Sequence, residues 1–387
     1  MKIINLSSIA NPISISVQNP SRSDYDRFIG LEHYDSGEPV ITRFQGTELL
    51  TTSAKAFKAN DILIARRNVY LKRAGIVFFD GITSGDSIIL RLKEDTQKTI
   101  GYSREDLIRY IPFMLNSEHF WIYANKHADG MNSKRISKDT LLEYEFELPS
   151  IDEMRDISDK LWAAYRLKEA YKKLLVTTDE MVKSQFIEMF GNPLSLNQKN
   201  ELKRLGECCI LNPRRPNIAL CDTDKVSFIP MPAVSEDGYL VDMTDEEYGK
   251  VKKSFTYFEN NDVLFAKITP CMENGKGAIV HGLTNGIGMG STEFHVLRPI
   301  NGISSPYWLL ALTRMPIFRE RAAKNMSGTG GQKRVSASYL DHFMVGLPAI
   351  EEQRRFEAIY RQADKSEFEL KQCIEHIDKV IKSLING

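Results

Sequence analysis

The chain lacks a basic excess. Its 387 residues carry 51 Lys plus Arg against 51 Asp plus Glu, a formal net charge of zero. Domains that bind nucleic acid usually hold a positive surplus. A uniformly basic surface is therefore excluded, and any such surface has to be local. Cysteine is scarce. The five are Cys208, Cys209, Cys221, Cys271 and Cys373, all in the second half. An odd number without a CxxC pair argues against a disulfide framework and leaves no zinc-ligand spacing. No HExxH occurs. No apolar run approaches the ~18 residues that span a bilayer. The opening MKIINLSSIANP has no apolar core of a secretion signal. The expected setting is soluble and cytoplasmic, with no membrane partner. Enzyme signatures are also missing. The Gly275-Lys276-Gly277 string lacks the Ser or Thr and the upstream spacing of a nucleotide-binding loop. Asn212-Pro213-Arg214 is not the Asn-Pro-Pro-aromatic string of an amino-methyltransferase, and no GxSxG nucleophile elbow occurs. The expectation is a non-catalytic protein without metal or cofactor.

What is present is a repeat. KRIS begins at Lys134 and LPSIDEMRD at Leu148; KRVS begins at Lys333 and LPAIEEQRR at Leu347. Both pairs are 199 residues apart. Between these anchors, FIGLEHYDSG from Phe28 matches FIPMPAVSEDG from Phe228, and NDILIAR from Asn60 matches NDVLFAK from Asn261. SIILR and FHVLR align through Leu90 and Leu297, where the separation has grown to 207. A separation that drifts and then returns is what loop insertions produce in a common core. One structural unit used twice suits a molecule that reads two related sites on one long target.

Within each copy the texture is β-rich. Residues 54–66 and 258–267 are short apolar stretches opened by Asn-Asp turns. Residues 76–79, 88–92, 278–280 and 294–297 read as strands bounded by glycines. Residues 103–116 and 306–324 read as helices that start on Ser and Pro. Each copy then ends in a long stretch of another kind. Residues 151–190 hold no proline or glycine, and Met154, Ile157, Leu161, Ala164 and Lys168 begin a three-four alternation that runs to Met189. Phe356, Ile359, Ala363 and Ser366 begin the same alternation toward Leu384. Such spacing sets one seam along a helix. Gly191-Asn192-Pro193 stops the first helix.

The expected fold class is α+β. Two mixed α/β domains, residues 1–149 and 192–348, are separated by a long antiparallel two-helix coiled coil, residues 150–191 and 349–387, in a pseudo-twofold molecule. Forty residues at 1.5 Å each make a rod of ~60 Å. Tyr171, Leu175, Val182, Phe186, Phe190, Leu370, Ile377 and Leu384 are the expected partner-binding residues of these helices. The alternative is two amphipathic helices, each packed on its own domain.

These strings resemble the specificity subunit of type I restriction-modification enzymes. The resemblance rests on LPAIEEQRR at 347–355 with its degenerate partner at 148–155, on KSQFIEMFGNP at 183–193, on ITPCMENGKGA at 268–278, and on GSTEFHVLRP at 290–299. ARRNVYLKRAGIVFFDGITSGDSIILR at 65–91 belongs to the same pattern. It runs over the whole chain. The first copy departs from the second at Met154 and Asp156, where the second has Gln353 and Arg355. The resemblance implies a non-catalytic subunit that binds bipartite double-stranded DNA. It implies that the paired helices dock two methylation subunits, which themselves bind S-adenosylmethionine. Restriction subunits with translocase activity would join the full complex. The alternatives are the specificity subunit of a related system that cleaves near its site, and a coiled-coil scaffold whose repeated domains bind proteins.

Residue types in loops supply candidate readers. Arg or Lys suits guanine, Asn or Gln suits adenine, and phosphates take Arg, Lys, hydroxyls and backbone amides. The first candidate surface is the pair of KR loops: Asn132, Ser133, Lys134 and Arg135, and Ser327, Thr329, Gln332, Lys333 and Arg334. The other reading of these loops is a solvated turn before a strand. The second surface is Arg66, Arg67, Asn68, Lys72 and Arg73, matched by Lys267, Thr269, Asn274 and Lys276. A third set, Thr83, Ser84 and Ser87 with Ser291, Thr292 and Glu293, fits turn chemistry as well as DNA contact. Trp121, Tyr123, Trp308, His281 and His295 read as core or edge residues.

Overall fold

The computed structural model describes residues 2–131, 133–192, 200–329 and 331–386. Asn132, Pro193 and Gly330 lie outside the described residues. The chain is α+β and divides into two compact units, Met1–Lys172 with Lys371–Gly387, and Lys173–Leu370.

In unit 1 the strand Lys2–Asn5 pairs antiparallel with Glu145–Leu148. One four-stranded sheet has the order Ala10–Ile13, Ser87–Leu92, Ile62–Ala65, Ala74–Ile76. A second has the order Ile15–Val17, Ala54–Phe57, Gly81–Thr83, Phe28–Ile29. Unit 2 repeats the plan. Glu201–Arg204 pairs with Met344–Leu347. The first sheet runs Cys209–Leu211, Phe294–Pro299, Val263–Ala266, Gly277–Ile279. The second shares three strands with its counterpart: Thr256–Glu259, Ile287–Gly290 and Lys225–Ile229. The flanks differ. Unit 1 adds Ile15–Val17 at one edge, whereas unit 2 adds Thr244–Glu247 at the opposite edge.

The Asn-Asp turns explain part of the repeat. Asn60 and Asn261 are left-handed, with φ of 69° and 71°, a conformation asparagine tolerates. The next residue, Asp61 or Asp262, is fully buried. Asp61 accepts from the Lys58 amide at 2.8 Å and from Nε and Nη2 of Arg91, both at 2.7 Å. Asp262 accepts from the Glu259 amide at 2.7 Å and from Arg298 at 2.8 Å and 2.8 Å. A buried carboxylate needs such compensation. These bidentate bonds raise the pKa of both arginines.

Two local expectations are corrected. Residues 306–324 form two helices, Pro306–Arg314 and Pro316–Lys324. Pro316 pushes Met315 into an extended conformation, ψ 134°, and cannot continue the preceding helix. The strand expected at 76–79 instead covers Ala74–Ile76. At Val77 the chain turns away to bond Asp61 and Asn60 through its amide and carbonyl.

The long helices are Ile151–Phe190 and Ile350–Asn386, and each unit holds part of both. In unit 1, Leu161 and Tyr165 pack with Ile377, Ile381 and Phe113. In unit 2, Phe186 and Phe190 lie 5.3 and 5.5 Å from the Phe356 ring, and Val182 and Ala363 share their core. The two helices run antiparallel within each unit.

The domains are tied to these helices by polar anchors. Arg155 reaches Asp106 at 2.9 and 3.0 Å. Gln353, fully buried, accepts from the Ser305 amide and donates to the carbonyls of Ile303 and Pro348, all at 2.9 Å. Its counterpart Met154 is also fully buried, inside the apolar core of unit 1. That accounts for the Met154/Gln353 departure: one copy fills the position with apolar packing, the other with hydrogen bonds.

Candidate nucleic-acid interface

In each unit a central strand ends in a basic loop, and the KR loop runs alongside it. In unit 1 the Arg66 amide donates to Asp86 O at 2.9 Å. The Ile136 amide donates to Arg66 O at 3.0 Å, and the Asn68 amide to Lys134 O at 2.8 Å. Arg135 then exchanges both backbone bonds with Asp129, at 2.8 and 2.9 Å. In unit 2 the Lys267 amide donates to Glu293 O at 2.9 Å. The Val335 amide donates to Lys267 O and the Thr269 amide to Lys333 O, both at 3.0 Å. Arg334 exchanges bonds with Ser327 at 2.8 and 3.1 Å. The two ladders correspond bond for bond. All three candidate sets meet here in both units, since Asp86 and Glu293 belong to the Ser/Thr-rich turns.

Side chains differ where the backbones agree. In unit 1, Asp86 stands 3.8 Å from Arg67 and 3.6 Å from Arg135. Arg67 Nε donates to Ser133 Oγ at 2.9 Å, and Ser133 Oγ to Asn68 Oδ1 at 3.3 Å. Lys134 and Arg135 are exposed. In unit 2 one arginine holds the acid alone: Arg334 Nε and Nη2 donate to Glu293 at 2.9 and 2.8 Å. This pair holds the Glu293 carboxyl below the usual carboxylate range. Gln332, Lys333, Ser327 and Thr329 are exposed beside it, as is Thr292.

Three of the remaining candidates, Arg73, Lys72 and Asn274, are engaged elsewhere. Arg73 donates to Leu31 O at 2.8 Å, and Lys72 lies 3.7 Å from Glu118. Asn274 donates to Glu236 at 2.9 Å. The Lys276 carbonyl closes the strand end by accepting from the Ala266 amide. Trp121 and Trp308 are core residues. His295 is buried, with Nε2 2.9 Å from Val335 O and Nδ1 3.0 Å from Asn212 Nδ2. Burial lowers its pKa, so the neutral ring supports the KR loop from behind.

Residues 197–377, just under half of the chain, match the family model described as the type I restriction modification DNA specificity domain. That stretch is therefore similar to this domain family. The type I restriction enzyme EcoAI specificity subunit of Escherichia coli is 42% identical over 136 residues, which is 35% of this chain and 23% of that protein. The EcoEI specificity subunit of Escherichia coli is 37% identical over 166 residues, 42% of this chain and 27% of that protein. The matches thus span about a quarter of those relatives' length. The type I restriction-modification system S subunit from M. genitalium superposes with a TM-score of 0.55 at 13% identity, covering 100% of this chain and 96% of that one. A chain from a study of complex assembly and conformational transition of the type I R-M system gives 0.55 at 15% identity, covering 99% and 96%. At such identity these two likenesses show the fold alone.

The expected partner residues of the long helices lie mostly inside the chain's own core. Phe186 and Phe190 are buried in unit 2, and so is most of Val182. Ile377 is buried in unit 1 with Leu384 and Tyr171 packed against it, while Leu175 and Leu370 are half-buried. The seam is spent on the two helices and the domains they carry. Val380, on the expected alternation, is exposed in unit 1; off the alternation, the exposed apolar side chains are Leu167 in unit 1, and Leu174, Val176, Met181, Ile187 and Phe368 in unit 2. Sequence periodicity hides these residues because they break the pattern it detects. Asp86 was obscured differently, although its counterpart Glu293 stands among the sequence candidates. The alignment separation changes at that point, so neither turn is in register with its loop.

Proposed function

We propose that this chain is the DNA sequence-recognition subunit of a type I restriction-modification complex. It binds a bipartite double-stranded target, one half per unit, and has no catalytic chemistry of its own. Two methylation subunits dock on its long helices, restriction and translocase subunits join them, and the complex works in the cytoplasm. The observation that carries this reading is the matched backbone ladder. The same three-part junction presents Arg66, Arg67, Lys134 and Arg135 in one unit and Lys267, Lys333 and Arg334 in the other. Local cations answer the zero net charge: the loops gather several of them around Asp86 in one unit and Glu293 in the other, where phosphates can be met. The exposed off-seam residues of the helices are the proposed docking contacts.

Selection from a random duplex library tests it, with the full chain free and assembled with methylation subunits. The expected product is a split motif with two specified halves and an unspecified spacer. Affinity for it should fall steeply with salt as counterions are released. Recovery of unspecific sequence, or a flat salt response, refutes DNA recognition and favours a protein-binding scaffold.

A further inference from the structure

Two apolar side chains in the first unit's basic loop have no assigned role. Tyr70 is 59% exposed and Leu71 is 39% exposed. They ride on one tight turn, Val69–Leu71, whose Val69 is anchored in the core. Asn68 and Lys72 bracket the turn, and both are left-handed, with φ of 54° and 50°. Asparagine tolerates this geometry. Lys72 is the one residue, among the described residues, that is neither glycine nor asparagine and has a positive φ. Strain retained at a position points to a use for the geometry it enforces. Here that geometry turns a tyrosine and a leucine outward.

Their surroundings select the partner. Arg66, Arg67, Lys72 and Arg73 lie in the same loop, and the Asn68 amide bonds the carbonyl of Lys134, next to Arg135. Duplex DNA offers a polyanionic backbone together with one apolar group on its base edges, the thymine 5-methyl in the major groove. Among the described residues, the corresponding turn of unit 2 offers no equivalent surface. The shared ladder sets Asn68 against Thr269, which places Tyr70 at Cys271 and Leu71 at Met272, and Met272 is fully buried.

Resting on the function proposed above, we infer that Tyr70 and Leu71 form an apolar contact with a thymine methyl, confined to the half-site read by the first unit. Burying one methyl-sized group contributes about 0.8 kcal/mol, which is about fourfold in affinity. The test uses the full chain assembled with methylation subunits and the motif recovered by library selection. Each thymine is replaced by uracil, which deletes the methyl and keeps the pairing. Wild type should lose about fourfold at one position of one half-site, the half relaxed by Arg135→Ala. Tyr70→Ala with Leu71→Ala should bind thymine and uracil duplexes equally, with an unchanged unfolding midpoint because both side chains are exposed. A first half-site without thymine, uracil tolerated throughout it, or a methyl effect that survives in the double variant overturns the inference. If no split motif is recovered by wild type, it is the recognition reading itself that falls.

Discussion

Removing either member of the Arg334–Glu293 pair should have the same effect on DNA, because the two act as one object. Two of the guanidinium's donors are committed to the carboxylate at 2.9 and 2.8 Å, and Nη1 lies 3.3 Å from the Gln332 carbonyl. Glu293 thus fixes the plane of the guanidinium within the KR loop, while the ladder fixes its backbone. Arg334→Ala removes the donor outright. Glu293→Gln keeps the arginine but gives up a charge-assisted, bidentate orientation. If Arg334 in that pose reads a base, either change should cost roughly 5- to 150-fold against the cognate second half-site. The double variant should cost no more than the worse single, since coupled residues are not additive. The unfolding midpoint should hardly move, because solvent reaches the pair and screens it. Competition binding against duplexes altered in one half at a time measures all three variants. Additive losses would refute the reasoning, as would equal losses in both halves. Tighter binding by Glu293→Gln would show instead that the acid competes with DNA for the arginine.

Lys168 is buried between Glu38 at 2.6 Å and Asp378 at 2.5 Å, so Lys168→Met should cost about 2–4 kcal/mol in urea denaturation; no loss would refute it. Burial opposes ionisation of Glu38, but hydrogen bonds from Lys168 and Lys172 prevail and hold its pKa below the ordinary 4.5. The stability this carboxylate contributes is therefore fully present above pH ~4.5 and is lost as pH falls through the lowered folded value. Lys168→Met should flatten that acid limb of the thermal midpoint, and an unchanged acid limb would contradict it. Lys72→Gly should relieve left-handed strain and stabilise by about 0.5–1 kcal/mol while weakening DNA binding; a destabilised variant would argue that the turn is unstrained. Inserting four residues after Lys172 lengthens that helix by ~6 Å and should change the spacer recovered in library selection, whereas an unchanged spacer would show that the helix does not set it.

Much of the architecture was legible because local chemistry and pattern agree. The Asn-Asp strings mark left-handed turns with a buried carboxylate, and the proline-free stretch at 151–190 matches its helix end to end. Met315-Pro316 was legible too, yet a helical texture on both sides masked the break. The site was legible as residue types and only partly as an assembly. Nothing local in KRIS or KRVS reveals that their backbone bonds go to a loop some 66 residues earlier in the chain. On the helices, periodicity located only part of the buried stripe: Cys373 and Val380 on the expected alternation are exposed, while Phe186, Phe190 and Ile381 beside it are buried, and a stripe inside the chain's own core and one facing a partner share the same spacing.

The junction between the two basic loops is built from main-chain amides and carbonyls. Side chains at the extended positions can be exchanged there without disturbing the bonds that hold it, whereas Asn68, Gly130 and Gly328 are held to their residue types by a positive φ. On the proposed reading, vocabulary is thereby separated from grammar: substitutions at Arg66, Lys134 or Gln332 should rewrite which bases are preferred while the presenting surface stays in place. A molecule that reads DNA in this way should acquire a new target by a few point changes in one unit, leaving the other unit's half of the word untouched.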